Sequence, residues 1–162
     1  MRLRRRPVPE AVSAVALPAG ERRAAWALTA DGAAVVATER RLLLPGGADL
    51  PWEGVERVSW KRPSLLVVAS AEVEGTGAQH RVELVEEGDL PELVRSRVTA
   101  SVAWSRHERL SPSGGVRVVG RRRPGSDDLD WQLVYDTGTP LDDPLVREQA
   151  EQLLLSARRS IG

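Results

Sequence analysis

The chain contains no cysteine. Disulfides and thiolate metal sites are therefore excluded, and a reducing cytoplasm suits such a protein. Phenylalanine is absent too, so five tryptophans must supply most of the aromatic bulk. Lys61 is the only lysine; the other 22 basic residues are arginine, a bias that a GC-rich genome explains. Formal net charge is zero, so no global field draws the protein toward nucleic acid or anionic lipid. The strongly apolar run Leu65 to Ala69 is far too short to span a bilayer. The basic start Arg2 to Arg6 is followed by a segment broken by Pro9, Glu10 and Ser13, which argues against a signal peptide.

What is present suits one domain, or one domain with an elaboration. The length is 162 residues and the hydrophobic fraction 41%. Residues 1–19 read as a basic arm leading into a short helix from Pro9 to Leu17. From Glu21 the apolar period becomes two. Arg23–Leu28 and Ala34–Thr38 read as strands joined at Asp31-Gly32, a strong hairpin signal. Arg40–Leu44, Val55–Lys61, Leu65–Ala71 and Arg81–Val85 follow, with turns at Pro45-Gly46-Gly47 and Gly75-Thr76-Gly77. Short strands at this spacing predict an antiparallel barrel or sandwich. Asp89, Pro91 and Glu92 open a helix carrying Leu90, Leu93, Val94 and Val98 on one stripe, over 90–101.

Residues 102–162 add a β-meander, at Val102–Leu110, Val116–Arg122 and Leu129–Tyr135. Asp143-Pro144 then caps a closing helix. Its apolar face holds Val146, Ala150, Leu153, Leu154, Ala157 and Ile161. The fold class is thus α+β. The expected core includes Trp26, Trp60, Leu66, Val68, Val98, Trp131, Leu133 and Leu154.

Three stretches resemble one known family. They are Gly20-Glu21-Arg22, Thr38-Glu39-Arg40-Arg41-Leu42, and Leu50-Pro51-Trp52-Glu53-Gly54-Val55. Together they resemble the opening strands of bacterial pleckstrin-homology-like (PH-like) domains, of the kind found in actinobacterial proteins. The resemblance covers roughly residues 20–100. It implies a PH-like barrel over 20–101 and a scaffold rather than a chemistry, because such folds host many functions. The usual phosphoinositide mode needs basic residues around the first hairpin. Here that turn is Thr29-Ala30-Asp31-Gly32-Ala33, which argues against it.

Catalysis is poorly provided for. His80 and His107 are far apart, and a metal pair would need both to converge with a carboxylate such as Glu83 or Asp136. No nucleophile elbow, phosphate loop or dinucleotide glycine spacing occurs. No catalytic residue, metal or cofactor is assigned, and an enzyme is the weakest reading. The better candidate is an arginine hairpin. Arg121, Arg122 and Arg123 are consecutive at a strand end, with Arg106, Arg117 and Trp104 as neighbours in a positive patch. Guanidinium forks suit carboxylate or phosphate. Alternatively, Asp127, Asp128 and Asp130 neutralise that strand end, in exposed pairs of about 0–1 kcal/mol each. Only Trp104 could stack a base, so a protein partner is favoured over nucleic acid. The expected role is a non-catalytic interaction or regulatory module.

Overall fold

The computed structural model describes residues 6–70 and 78–161. The expected turn Gly75-Thr76-Gly77 and the arm residues Arg2, Arg4 and Arg5 lie outside the described residues. The chain divides into two compact units, Met1–Thr99 and Ala100–Gly162.

In the first unit, helix α1 (Glu10–Ser13) covers one turn and not the two expected. Its N-cap is Pro9, which offers no side-chain cap, and so short a helix is marginal without packing. Val12 supplies that packing and is fully buried. Seven strands follow: β1 (Ala25–Thr29), β2 (Ala34–Ala37), β3 (Arg41–Leu43), β4 (Asp49–Pro51), β5 (Val55–Lys61), β6 (Ser64–Ala69) and β7 (Gln79–Glu86). They form one antiparallel sheet in the order β4-β3-β2-β1-β7-β6-β5. Helix α2 (Leu90–Ala100) comes next.

The β1–β2 turn is built as Asp31-Gly32 predicts. Gly32 takes φ +82°, and the Thr29 amide donates to Ala33 O at 2.9 Å. The sheet does not close into a barrel among the described residues, which corrects that expectation. Its outer strands β4 and β5 are not hydrogen-bonded to each other. β4 has only three residues and contains Pro51, which cannot donate to a ladder. A single 3₁₀ turn, Trp52–Gly54, then leads into β5. Trp52 is only 2% exposed, and its indole N–H donates to Thr38 O at 3.1 Å.

The core of this unit gathers Leu42, Leu50, Leu65, Val67, Leu90 and Val94. The inward phase of β6 is therefore Leu65, Val67 and Ala69; Leu66 is half-buried, as is Trp60. Trp26 is half-buried as well. Val68 and Val98 are buried as anticipated.

The second unit is a meander of β8 (Val102–Arg109), β9 (Gly115–Arg122) and β10 (Leu129–Tyr135), with β9 central, followed by α3 (Pro144–Ile161). α3 starts where its sequence signals put it. Asp143 Oδ1 accepts the Leu145 amide at 2.9 Å, and Pro144 holds the first helical position. Val146 and Ala150 pack with Leu110 and Val116, flanked by Leu133, Tyr135 and Leu153. Leu133, Trp131 and Leu154 are half-buried, and Ile161 is exposed, so the buried stripe of α3 is narrower than predicted. No helix among the described residues is long and apolar enough to cross a membrane.

Candidate partner-binding surface

Register fixes which side chains share a face of the β8-β9-β10 sheet. Val116 lies opposite Glu108 and Tyr135, Val118 opposite Arg106 and Leu133, and Gly120 opposite Trp104 and Trp131. Val116 and Tyr135 pack in the cluster formed with α3, so this is the helix-side face. His107, Arg117 and Val134 share the other face with Ser105, Val119 and Gln132.

The arginine candidates are divided between these faces. Arg117, Arg121 and Arg123 stand on one face by alternation, while Arg106 and Arg122 stand with Trp104 on the other. Of the two groupings expected for Arg121 and Arg123, the one with Arg117 is what the register gives, and Arg106 stands on the other face. Arg121 is 4% exposed; its Nε donates to Gln132 Oε1 at 3.0 Å and its Nη1 to Ser101 Oγ at 2.6 Å. Arg123 forks onto Asp130, at 2.8 and 2.5 Å. Arg106 pairs with Glu108 two residues along its own strand at 2.6 Å. Arg117 Nη1 donates to Ser105 Oγ at 3.1 Å. Arg122 is exposed. Trp104 meets the Trp131 ring edge-on, at 5.6 Å between centroids. Of the three consecutive arginines, one is turned inward, one is held by an aspartate and one faces solvent. They do not form one patch.

The two histidines fall in different units. His80 lies in β7 of the first unit. In the second, His107 Nε2 is 2.8 Å from Asp136 Oδ2. Gly115 permits this bridge: a Cβ there would collide with the Asp136 carboxylate and come within 2.9 Å of His107 Nε2. No group of three potential metal-ligating side chains occurs among the described residues.

A different feature emerges where β8 meets α3. A groove of about 440 Å³ is lined by Leu110, Leu145, Leu153 and Gln149, together with the charged side chains of Glu108, Arg109 and Glu148. Gln149 fixes its floor. Its Oε1 accepts the Ser111 amide at 3.0 Å, and its Nε2 donates to Ser111 O at 2.7 Å. Thr139 Oγ1 lies 3.2 Å from both the amide and the carbonyl of Gly115, tying the same hairpin from the other side. Leu145 is 63% exposed and Leu141 49%. Arg109 is exposed and makes no ion pair among the described residues. The sequence carried a faint signal for Leu145, which sits out of phase with the Val146–Ala150–Ala157 stripe.

The first unit holds a wider, more polar cleft of about 670 Å³, bounded by Glu21, Arg22, Arg23, Trp26 and Asp89. Arg6 stacks over Trp26, its guanidinium carbon 3.4 Å from the ring centroid. Gly88 leaves room for it, since a Cβ there would stand 2.6 Å from Arg6 Nη1. Beside the cleft, Glu21 accepts hydrogen bonds from Thr38 Oγ1 at 2.7 Å and Arg41 Nε at 3.0 Å. Burial acts to raise the Glu21 pKa, yet these two hydrogen bonds and the charges of Arg41 and Arg40 hold it below the ordinary carboxylate value. Arg41 is shifted upward, chiefly by its bond to Glu21 and further by Asp49. This network is internally satisfied and ties the chain before β1 to β3 and β4.

No known protein family matches the chain, and neither a curated protein nor a solved structure does.

Proposed function

We propose that the chain is a non-catalytic protein-interaction module on a PH-like scaffold, and that it docks an acidic, apolar segment of a partner protein in the Leu110–Leu145–Leu153 groove. Support for the scaffold is the run of seven antiparallel strands followed by α2, where the PH-like pattern has its C-terminal helix. The observation that carries the docking reading is Leu145, mostly exposed on a groove wall beside Arg109, which has no ion pair among the described residues. An exposed apolar side chain in a concave, polar-rimmed setting is a usual mark of a protein-binding site. Arg109 offers its guanidinium fork to a carboxylate of that segment, Glu108 being already paired with Arg106, while Glu148 of the same lining leaves room for a cation beside it. Nucleic acid has less support, since Arg121 and Arg123 are already engaged.

Two labelled synthetic peptides test this reading by fluorescence anisotropy, one alternating leucine with glutamate and one alternating leucine with lysine. The wild-type chain should bind the glutamate peptide more tightly. Arg109→Glu should reverse the preference, and Leu145→Asp should weaken both. Equal binding of the two peptides, or binding insensitive to Leu145→Asp, refutes the proposal.

A further inference from the structure

Among the described residues, strand β8 is an open sheet edge. It pairs with β9 on one side only, and Val102, Ala103, Ser105, Arg106, His107 and Arg109 along it are exposed. Natural edges are usually blunted by proline, charged side chains, a bulge or shortness. β4, at an edge of the other sheet, has three residues and Pro51. β8 is eight residues long and without proline, its bulge is confined to the Val102–Trp104 end, and its charges, Arg106, Glu108 and Arg109, are of both signs rather than one.

The backbone phase of this edge follows from one bond. The Leu110 amide donates to Gly114 O, toward β9. Alternation then turns the amides and carbonyls of Glu108 and Arg106 toward β9, and those of Arg109, His107 and Ser105 outward. An incoming antiparallel strand must bond to these three residues.

We infer that β8 pairs with β8 of a second copy of this chain, antiparallel about a twofold axis at His107. This goes beyond the groove reading and does not depend on it. The axis sets His107 against its own symmetry mate and Ser105 against Arg109 of the other copy. These pairs supply about six backbone hydrogen bonds. Arg106 then lies opposite Glu108 of the other copy, and Glu108 opposite Arg106. The existing Arg106–Glu108 pair, at 2.6 Å, becomes half of a charge-alternating quartet on one face. Neighbouring registers fail. An axis at Arg106 sets two arginines face to face, and one at Glu108 sets two glutamates. Directly opposed like charges destabilise a sheet. The edge is thus self-complementary in this register, as an isologous contact requires. A strand-edge interface is small, so the dimer should be weak and concentration-dependent.

Sedimentation equilibrium of the full chain over a wide concentration range tests this. The mass should rise from the 17.7 kDa monomer toward twice that value. Arg106→Glu and Glu108→Arg should each raise the dimer dissociation constant roughly tenfold, by creating like-charge rows. An equimolar mixture of the two variants should associate again, because each supplies the charges the other lacks. The doubly exchanged R106E/E108R chain should also dimerise. His107→Pro removes an outward amide without touching the β9 ladder and should weaken association. A wild-type chain that stays monomeric at millimolar concentration overturns the inference. So does a dimer indifferent to Arg106→Glu, or two single variants that fail to associate when mixed. Leu145→Asp should leave the dimer unchanged and His107→Pro should leave peptide binding unchanged, so the two readings stand or fall separately.

Discussion

Trp104 and Trp131 meet edge-on across the middle strand of the second unit, because the residue between them in the register is Gly120. The two indoles come from opposite outer strands, and a side chain at position 120 would hold them apart. A Cβ there already lies 3.2 Å from the Trp131 ring and 3.1 Å from Leu129. Gly120→Val should therefore destabilise this unit by about 1–3 kcal/mol, despite the better strand propensity of valine. Chemical unfolding measures the loss, and a changed near-ultraviolet tryptophan signal would mark its origin.

The same strand repeats the device on its other face, where Gly115 underlies the His107–Asp136 bridge. The bridge is partly exposed and should contribute about 0.5–1 kcal/mol. Gly115→Ala breaks it and should destabilise the wild-type chain. In a His107→Ala/Asp136→Ala background nothing remains to collide. The same substitution should then become neutral or stabilising, since alanine loses less backbone freedom than glycine. A double-mutant cycle showing no change of sign would mean that Gly115 serves another purpose.

Turn and cap chemistry made much of this fold legible in the sequence. Asp31-Gly32 and Asp143-Pro144 each demand one local geometry, and β5 and β10 run to the residues their alternation predicts. What was not legible depends on partners distant in sequence. β4 is too short and too proline-bearing to register as a strand, so closure of the sheet was overestimated. β9 buries Val118, Val119, Gly120 and Arg121 in succession. A strand buried on both faces gives no period-two contrast, so the sequence pattern does not mark Arg121 as inward-facing. The Arg6–Trp26 stack joins residues 20 apart and leaves no short-range pattern.

Glu21 provides a pH-dependent test of the first unit. Its side chain is only 6% exposed, and its pKa is lowered in the folded chain. A lowered carboxylate contributes stability that is fully present above its unfolded pKa. That contribution is lost as pH falls through the folded value. Glu21→Gln should cost about 1–3 kcal/mol at neutral pH, because it weakens the bonds to Arg41 and Thr38. The gap between wild type and variant should close as pH drops below about 4.5, the ordinary value for this group. Urea unfolding at a series of pH values would show it. A gap independent of pH would place the Glu21 contribution elsewhere than in its charge.

Leucines at two positions should differ sharply. Leu65 is fully buried in the first core, whereas Leu154 on α3 is half-buried. Leu65→Ala should cost about 2–5 kcal/mol, as for a filled core site. Leu154→Ala should cost less than half as much, since solvent already reaches it. Equal losses in chemical unfolding would show that α3 packs more tightly than the exposure of Leu154 indicates.

Arg121 and Arg122 are adjacent, yet their substitutions should act on different properties. Arg121 is 4% exposed and donates to Gln132 and Ser101, joining the start of β8 and the middle of β10 to β9. Arg121→Ala would leave buried acceptors without their donor, a penalty of about 2–4 kcal/mol. Arg121→Lys should recover little, because one ammonium cannot reproduce the fork that reaches two acceptors from Nε and Nη1. Arg122 faces solvent, so Arg122→Ala should leave stability within about 0.5 kcal/mol of wild type. Thermal unfolding of the three variants separates these outcomes. It also guards any binding study of this hairpin: a triple Arg→Ala variant at 121–123 would unfold the sheet as well as remove charge. Only Arg122→Ala, or Arg123→Ala with its Asp130 pair in view, reports on surface recognition alone. Should Arg121→Ala prove as stable as wild type, the inward guanidinium would be dispensable, and the hairpin would again be open to the reading of a three-arginine binding patch.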